Sequence, residues 1–107
     1  MSVQDFVCYV LKVPVHIDGY VYICKAIKFI LTNDGDPRFY EHLCVECNKD
    51  KKCIERSLRL AKEKSISSIP ESDYEKIFMR TKNDGITSKE FICYAAQFYR
   101  KEFKSEE

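Results

Sequence analysis

Glycine and proline are scarce in this chain, with three of each in 107 residues. An all-β sandwich needs a turn every few residues and cannot be built with so little punctuation. Between the breaks, apolar residues recur at helical spacing, and the breaks divide the chain into about six helical pieces. The expected fold is all-α: one six-helix domain, because 107 residues suffice for one domain and not for two. With 45% hydrophobic and 13% aromatic residues, the chain has enough to bury a core. No basic start leads into an apolar stretch and a small-residue cleavage site, so no signal peptide is expected. No window approaches the ~20 apolar residues that span a bilayer. Six cysteines are too few for a disulfide scaffold, and five lie in helix-like stretches.

The capping signals set the expected boundaries. Ser2 opens a first helix with Phe6, Val7, Val10 and Leu11 on one face, which stops before Pro14. Val13 to Gly19 reads as an extended apolar connector. A second helix follows from about Tyr20 to Thr32, with Ile23, Ile27, Ile30 and Leu31 spaced for burial, and Asn33-Asp34-Gly35 ends it. Asp36-Pro37 predicts the start of a short third helix carrying Phe39, Tyr40 and Leu43. Cys47-Asn48-Lys49 makes a turn, and Asp50 caps a fourth helix running to about Lys64 with Ile54, Leu58 and Ala61 inward. A serine-rich link over Ser65–Pro70 follows. Ser72…Glu75 and Thr87…Glu90 both have capping-box spacing, opening a fifth helix and a final one over residues 87–104. There is no internal repeat.

Charge is nearly balanced, 18 Lys and Arg against 17 Asp and Glu, but it is not evenly spread. Residues 49–64 hold Lys49, Lys51, Lys52, Arg56, Arg59, Lys62 and Lys64 against Asp50, Glu55 and Glu63. The rest of the chain is net acidic. At about 100° per residue, Lys52, Arg56, Arg59 and Glu63 share one stripe, opposite Ile54, Leu58 and Ala61. A short helix, a tight turn and a second helix that is apolar inside and basic outside is the layout of a helix-turn-helix, here over residues 36–64. In that motif the second helix enters the major groove of double-stranded DNA. Arg56 and Arg59 are the side chain type that donates two parallel hydrogen bonds to guanine. Glu55 can accept from cytosine, while Lys49, Lys51 and Lys52, near the helix N-terminus, can hold phosphates. The competing reading is a solvated basic face.

At these residues the chain resembles the C-terminal DNA-binding (effector) domain of the stage zero sporulation protein A response-regulator family. The first matching block is Val13-Pro14-Val15-His16-Ile17-Asp18-Gly19-Tyr20 followed by Ala26-Ile27, close to that family's Val-Pro-Ala-His-Ile-Lys-Gly-Tyr. The second, Ile54-Glu55-Arg56-Ser57-Leu58-Arg59 with Ala61, matches its recognition helix pattern Val-Glu-Arg-Ala-Ile-Arg. The third, Thr87-Ser88-Lys89-Glu90-Phe91-Ile92, is similar to its Thr-Asn-Ser-Glu-Phe-Ile. The order is kept over nearly the whole chain, with a divergent stretch between Ser67 and Gly85.

The resemblance implies a six-helix fold, a helix-turn-helix from the third and fourth helices, and base or backbone contacts at Glu55, Arg56 and Arg59. It also implies transcription regulation, a cytoplasmic, nucleoid-associated bacterial protein, and tandem binding on repeated boxes. Two positions depart from the family. An arginine early in its recognition helix is Cys53 here, and a polar residue after the second arginine is Leu60. Met1 falls almost at the first helix of the effector domain, so a stand-alone domain without a phosphorylated receiver is expected, controlled by expression level, a partner or a ligand.

Other chemistries are weaker. His42, Cys44, Cys47 and Cys53 include a Cys-x-x-Cys pair and are the candidate zinc ligands, although a buried free Cys behaving as a small hydrophobe is the commoner case. Cys47 and Cys53 are also candidate redox sensors. His16 is expected to be a hydrogen-bonded structural residue. No nucleophile, base and acid can be assembled by spacing, so neither enzymatic activity nor a cofactor is expected. The alternative to a DNA-binding protein is an interaction module of the same fold that binds or antagonises another regulator protein. A homodimer on adjacent sites would use the final helix and the linker near Ser65.

Overall fold

A computed structural model describes residues 1–103 and is helical throughout, with no strand among the described residues. A short α-turn, α1 (Val3–Asp5), runs straight into a π-helical turn (Phe6–Val10). Then follow α2 (Asp18–Thr32), α3 (Phe39–Cys47), α4 (Lys51–Ser68), α5 (Glu71–Phe78) and α6 (Ser88–Glu102). The all-α expectation holds. Of the expected final helix, position 104 lies outside the described residues.

Helix α2 is the centre of the molecule. It buries Tyr22, Ile23, Ala26, Ile27 and Ile30 and packs against α3, α4 and α6. The other helices add one apolar face each: Leu43 from α3, Ile54 and Leu58 from α4, Phe78 from α5, and Phe91 and Ala95 from α6. These side chains make one continuous core. Phe78 stacks on Phe91 with ring centroids 4.8 Å apart, which ties α5 to α6. No described helix is long and apolar enough to cross a membrane.

Where local capping chemistry has no competitor, the elements start as expected. The Ser2 hydroxyl accepts from the Asp5 amide at 3.1 Å. The Asp50 carboxylate accepts from the Cys53 amide at 2.8 Å and opens α4. Thr87 and Glu90 form a reciprocal capping box at the head of α6.

Several expectations are corrected. Helix α2 begins at Asp18, so Asp18 and Gly19 belong to it and not to the connector, and its Leu31 is only half-buried. The first helix closes with a π-turn, in which the Leu11 amide donates to the Phe6 carbonyl at 3.0 Å. Each residue of such a turn advances by less than the ~100° of an α-helix. Val10 is therefore only half-buried, while Phe6, Val7 and Leu11 are fully buried. Asp36-Pro37 does not start α3, which begins at Phe39 with no side-chain cap. The Asp36 carboxylate instead accepts from the Arg38 amide at 2.9 Å and pairs with its guanidinium at 3.0 Å, closing a local turn.

The stretch from Ser65 is not a linker, because α4 continues to Ser68. Ser67 donates back to the Glu63 and Lys64 carbonyls, and Ser65 is fully buried with its hydroxyl donating to the Leu11 carbonyl. Ser72 does not cap α5, since Pro70, with φ −58° and ψ 148°, already sits at the cap and Ser72 falls inside the first turn. His16 is exposed rather than packed in a structural role, because the connector leaves its side chain on the surface.

Candidate nucleic-acid interface

The junction between α3 and α4 is three residues long, Asn48, Lys49 and Asp50. Asn48 adopts the left-handed conformation, φ 55° and ψ 48°, and its amide donates to the Cys44 carbonyl. Asparagine tolerates that region better than other non-glycine residues, so α3 ends there. The Lys49 amide also reaches the Cys44 carbonyl, at 3.2 Å. Both ends of the turn are thus fixed by hydrogen bonds: a left-handed cap below and the Asp50 cap above.

The direction of α4 is set from its inner face. Ile54, Leu58, Ala61 and Ser65 lie at successive three- and four-residue steps and are all buried. Gly19 of α2 lets the two helices approach closely: a Cβ built on it would lie 2.5 Å from the Ala61 Cβ and 2.5 Å from the Ser57 carbonyl oxygen. Helix α4 is therefore seated by contacts from side chains and backbone of α2, and its outer face is held in one orientation.

That outer face carries the expected residues. Lys51, Lys52, Glu55, Arg56 and Arg59 are exposed on α4, and Lys49 is exposed in the turn before it. Among the described residues no salt bridge involves any of them. Lys51 lies over the Tyr40 ring, 5.6 Å from its centroid, which steers its ammonium towards the α3 side of the turn. Lys62 behaves differently. It is half-buried and donates to the Ile86 carbonyl at 2.8 Å, so it braces α4 against the loop before α6 and adds no charge to the exposed stripe.

One residue at this face had no spatial signal in the sequence. Beside the stripe runs a shallow cleft lined by Tyr40, Glu55, Arg59, Thr87, Ser88 and Lys89. Lys89 belongs to a segment that reads only as a helix start, yet the fold carries its exposed side chain next to Arg59. Burial pushes the Tyr40 phenol above its ordinary range, with the Glu55 charge adding to the effect, so it is a neutral hydroxyl there.

The cysteine and histidine cluster does not assemble. Among the described residues no three His, Cys, Asp or Glu side chains converge to hold a metal ion. His42 stacks on Phe29 with ring centroids 4.8 Å apart, and its Nε2 lies 3.4 Å from a Glu46 oxygen. Glu46 in turn accepts from Lys25 at 2.7 Å, so this group joins α2 to α3. Cys44 and Cys47 are half-buried hydrophobes against the core, and burial pushes the Cys47 thiol up. Cys53 is half-buried in the first turn of α4.

No protein-family model matches the chain, and no curated protein matches it.

Proposed function

We propose that this chain is a sequence-specific DNA-binding regulator of transcription, in the manner of sporulation-regulator effector domains. Helices α3 and α4 act as the helix-turn-helix, and α4 lies in the major groove. The observation that carries this reading is the state of the outer face of α4. Arg56 and Arg59 stand exposed and in no salt bridge among the described residues, on a helix whose opposite face is locked into the core. Guanidinium groups held this way are ready to make bidentate bonds to guanine O6 and N7. Glu55 accepts from cytosine N4, and Lys49, Lys51 and Lys52 hold phosphates beside the reading head. A single small domain buries modest area on DNA, so two copies on adjacent sites supply useful affinity.

A second reading rests on a specific observation. Leu60, on the outer side of α4, is 50% exposed, and Val45, on α3, is 84% exposed. Apolar side chains there suit a protein partner, as an interaction module that binds or antagonises another regulator without reading DNA.

Binding-site selection from a random DNA pool, with salt titration of the winner and a scrambled control, tests the proposal. An enriched motif bound at least ~10³-fold tighter than the scramble supports a specific regulator. No enrichment, with weak binding that vanishes as salt rises, overturns it and leaves the partner reading.

A further inference from the structure

The π-helical turn, α5 and α6 enclose a second surface, built from residues that the reading helix does not use. Two shallow grooves, about 220 and 370 Å³, share Lys76, Ile77 and Phe98 and so form one two-lobed depression. Tyr9 stands at the edge of the first lobe and Met79 at the edge of the second. They are 66% and 75% exposed, among the largest apolar side chains left open to water.

The backbone under both is unusual. Tyr9 lies within the π-turn, a rare geometry that recurs at functional sites. Met79 caps α5 in the left-handed region, φ 60° and ψ 32°, where glycine or asparagine is the ordinary choice. Each position thus combines an uncommon backbone with a large apolar side chain that the core does not bury. The two flank the same depression, which makes a local accident of packing a poor account of them. The charge around the grooves is one-sided. Among the described residues Lys12, Lys76 and Lys101 line them, the Lys12 ammonium also donating to the Tyr9 carbonyl at 3.1 Å, against the one carboxylate of Asp73.

We infer that this depression is a docking site for an acidic amphipathic segment of a partner protein. Its apolar side chains fill the two lobes on either side of Ile77 and Phe98, and its carboxylates meet Lys12, Lys76 and Lys101. The two concave lobes favour spaced side chains on a peptide over a flat anionic membrane, although both carry negative charge. The site is independent of the DNA-binding proposal, and either can fail alone.

The test is a selection from a displayed library of random 16-residue peptides on the full chain. The winning peptide is then titrated by fluorescence anisotropy against wild type and variants. Enriched peptides are expected to carry apolar residues at i and i+3 or i+4 flanked by Asp and Glu. Met79→Gly suits the left-handed cap, so the fold is kept, and it should weaken binding at least tenfold. Lys76→Glu with Lys101→Glu should do the same, while Lys28→Glu, on a different groove, should not. No enrichment, enrichment of non-acidic peptides, or equal binding by the Met79 and lysine variants overturns the site. So does binding of phosphatidylserine vesicles without peptide binding. Self-association that the same variants abolish would replace the partner by a second copy and overturn it as well.

Discussion

Gly19 and Ala61 meet at the crossing of α2 and α4 with no room for another methyl group: a Cβ on Gly19 would sit 2.5 Å from that of Ala61. The Ser57 carbonyl oxygen lies equally close, and a backbone atom cannot swing aside. Gly19→Ala must therefore lever α4 away from α2. It should cost about 1–3 kcal/mol in urea unfolding, the range for overpacked cores. Ala61→Gly in the same chain should recover only part, because the Ser57 clash remains. An unchanged urea midpoint for Gly19→Ala would mean that the helices do not cross this closely. Since α4 also carries Arg56 and Arg59, the same variant should weaken DNA binding beyond what its loss of stability explains.

Arg56 and Arg59 are the direct test of the reading face. Truncation of either to alanine should cost about 1–3 kcal/mol of binding to the selected site and relax preference at one base position. Stability should hardly move, because both side chains are exposed and in no salt bridge among the described residues. Identical isotherms for wild type and both variants would remove α4 from base readout.

Lys51 separates positioning from reading. Its ammonium lies over the Tyr40 ring at the start of α4, to the side of the stripe. Lys51→Ala should weaken all DNA sequences alike and lower the salt slope by about one unit. A change in sequence preference instead would make Lys51 a base contact.

The contrast between what the sequence revealed and what it hid follows the range of the interactions. Asp50 and the Thr87–Glu90 box announce their helices because the partners are three residues away. Asp36 misleads because a second local partner, Arg38, takes its carboxylate. Ser65 reads as linker because the carbonyl that accepts its hydroxyl belongs to Leu11, far away in sequence. The outward stripe of α4 is legible because helical periodicity alone separates it from Ile54, Leu58 and Ala61. The inward turn of Lys62 and the arrival of Lys89 beside Arg59 are not, since both depend on how α6 packs. Gly19 stands in a recognisable motif, but the reason for it is the carbonyl of Ser57 on another helix.

Two buried hydroxyls should respond in opposite ways. Ser65 is fully buried and donates to the Leu11 carbonyl at 2.5 Å, joining α4 to the end of the first helical segment. Ser65→Ala should cost about 1–3 kcal/mol, by leaving a buried carbonyl without its donor. The Tyr74 hydroxyl is buried with no hydrogen-bond partner among the described residues. Tyr74→Phe removes an unsatisfied group and keeps the ring on Phe78, so it should leave the melting temperature unchanged or raise it. A clear loss on Tyr74→Phe would show that a bound water satisfies the hydroxyl.

The acid limb of the stability curve should report Glu90 and Glu46. The backbone amide of Thr87, at 3.0 Å, holds the Glu90 carboxyl below the ordinary glutamate range, with the Arg80 charge at 3.6 Å helping. The Lys25 ammonium does the same for Glu46. Both groups have a lower pKa folded than unfolded, so the stability they contribute is complete above the unfolded value and is lost as pH falls through the folded one. The window is therefore acidic, from about the ordinary glutamate pKa of 4.3 downward. Both side chains are well exposed, which keeps each effect small. Glu90→Gln retains an acceptor for the Thr87 amide but has no charge to lose. Its urea midpoint should be slightly lower than wild type at pH 7 and converge with it by about pH 3, because only the wild type loses this contribution. Parallel curves over that range would mean that Glu90 is no better stabilised in the folded chain than in the unfolded one.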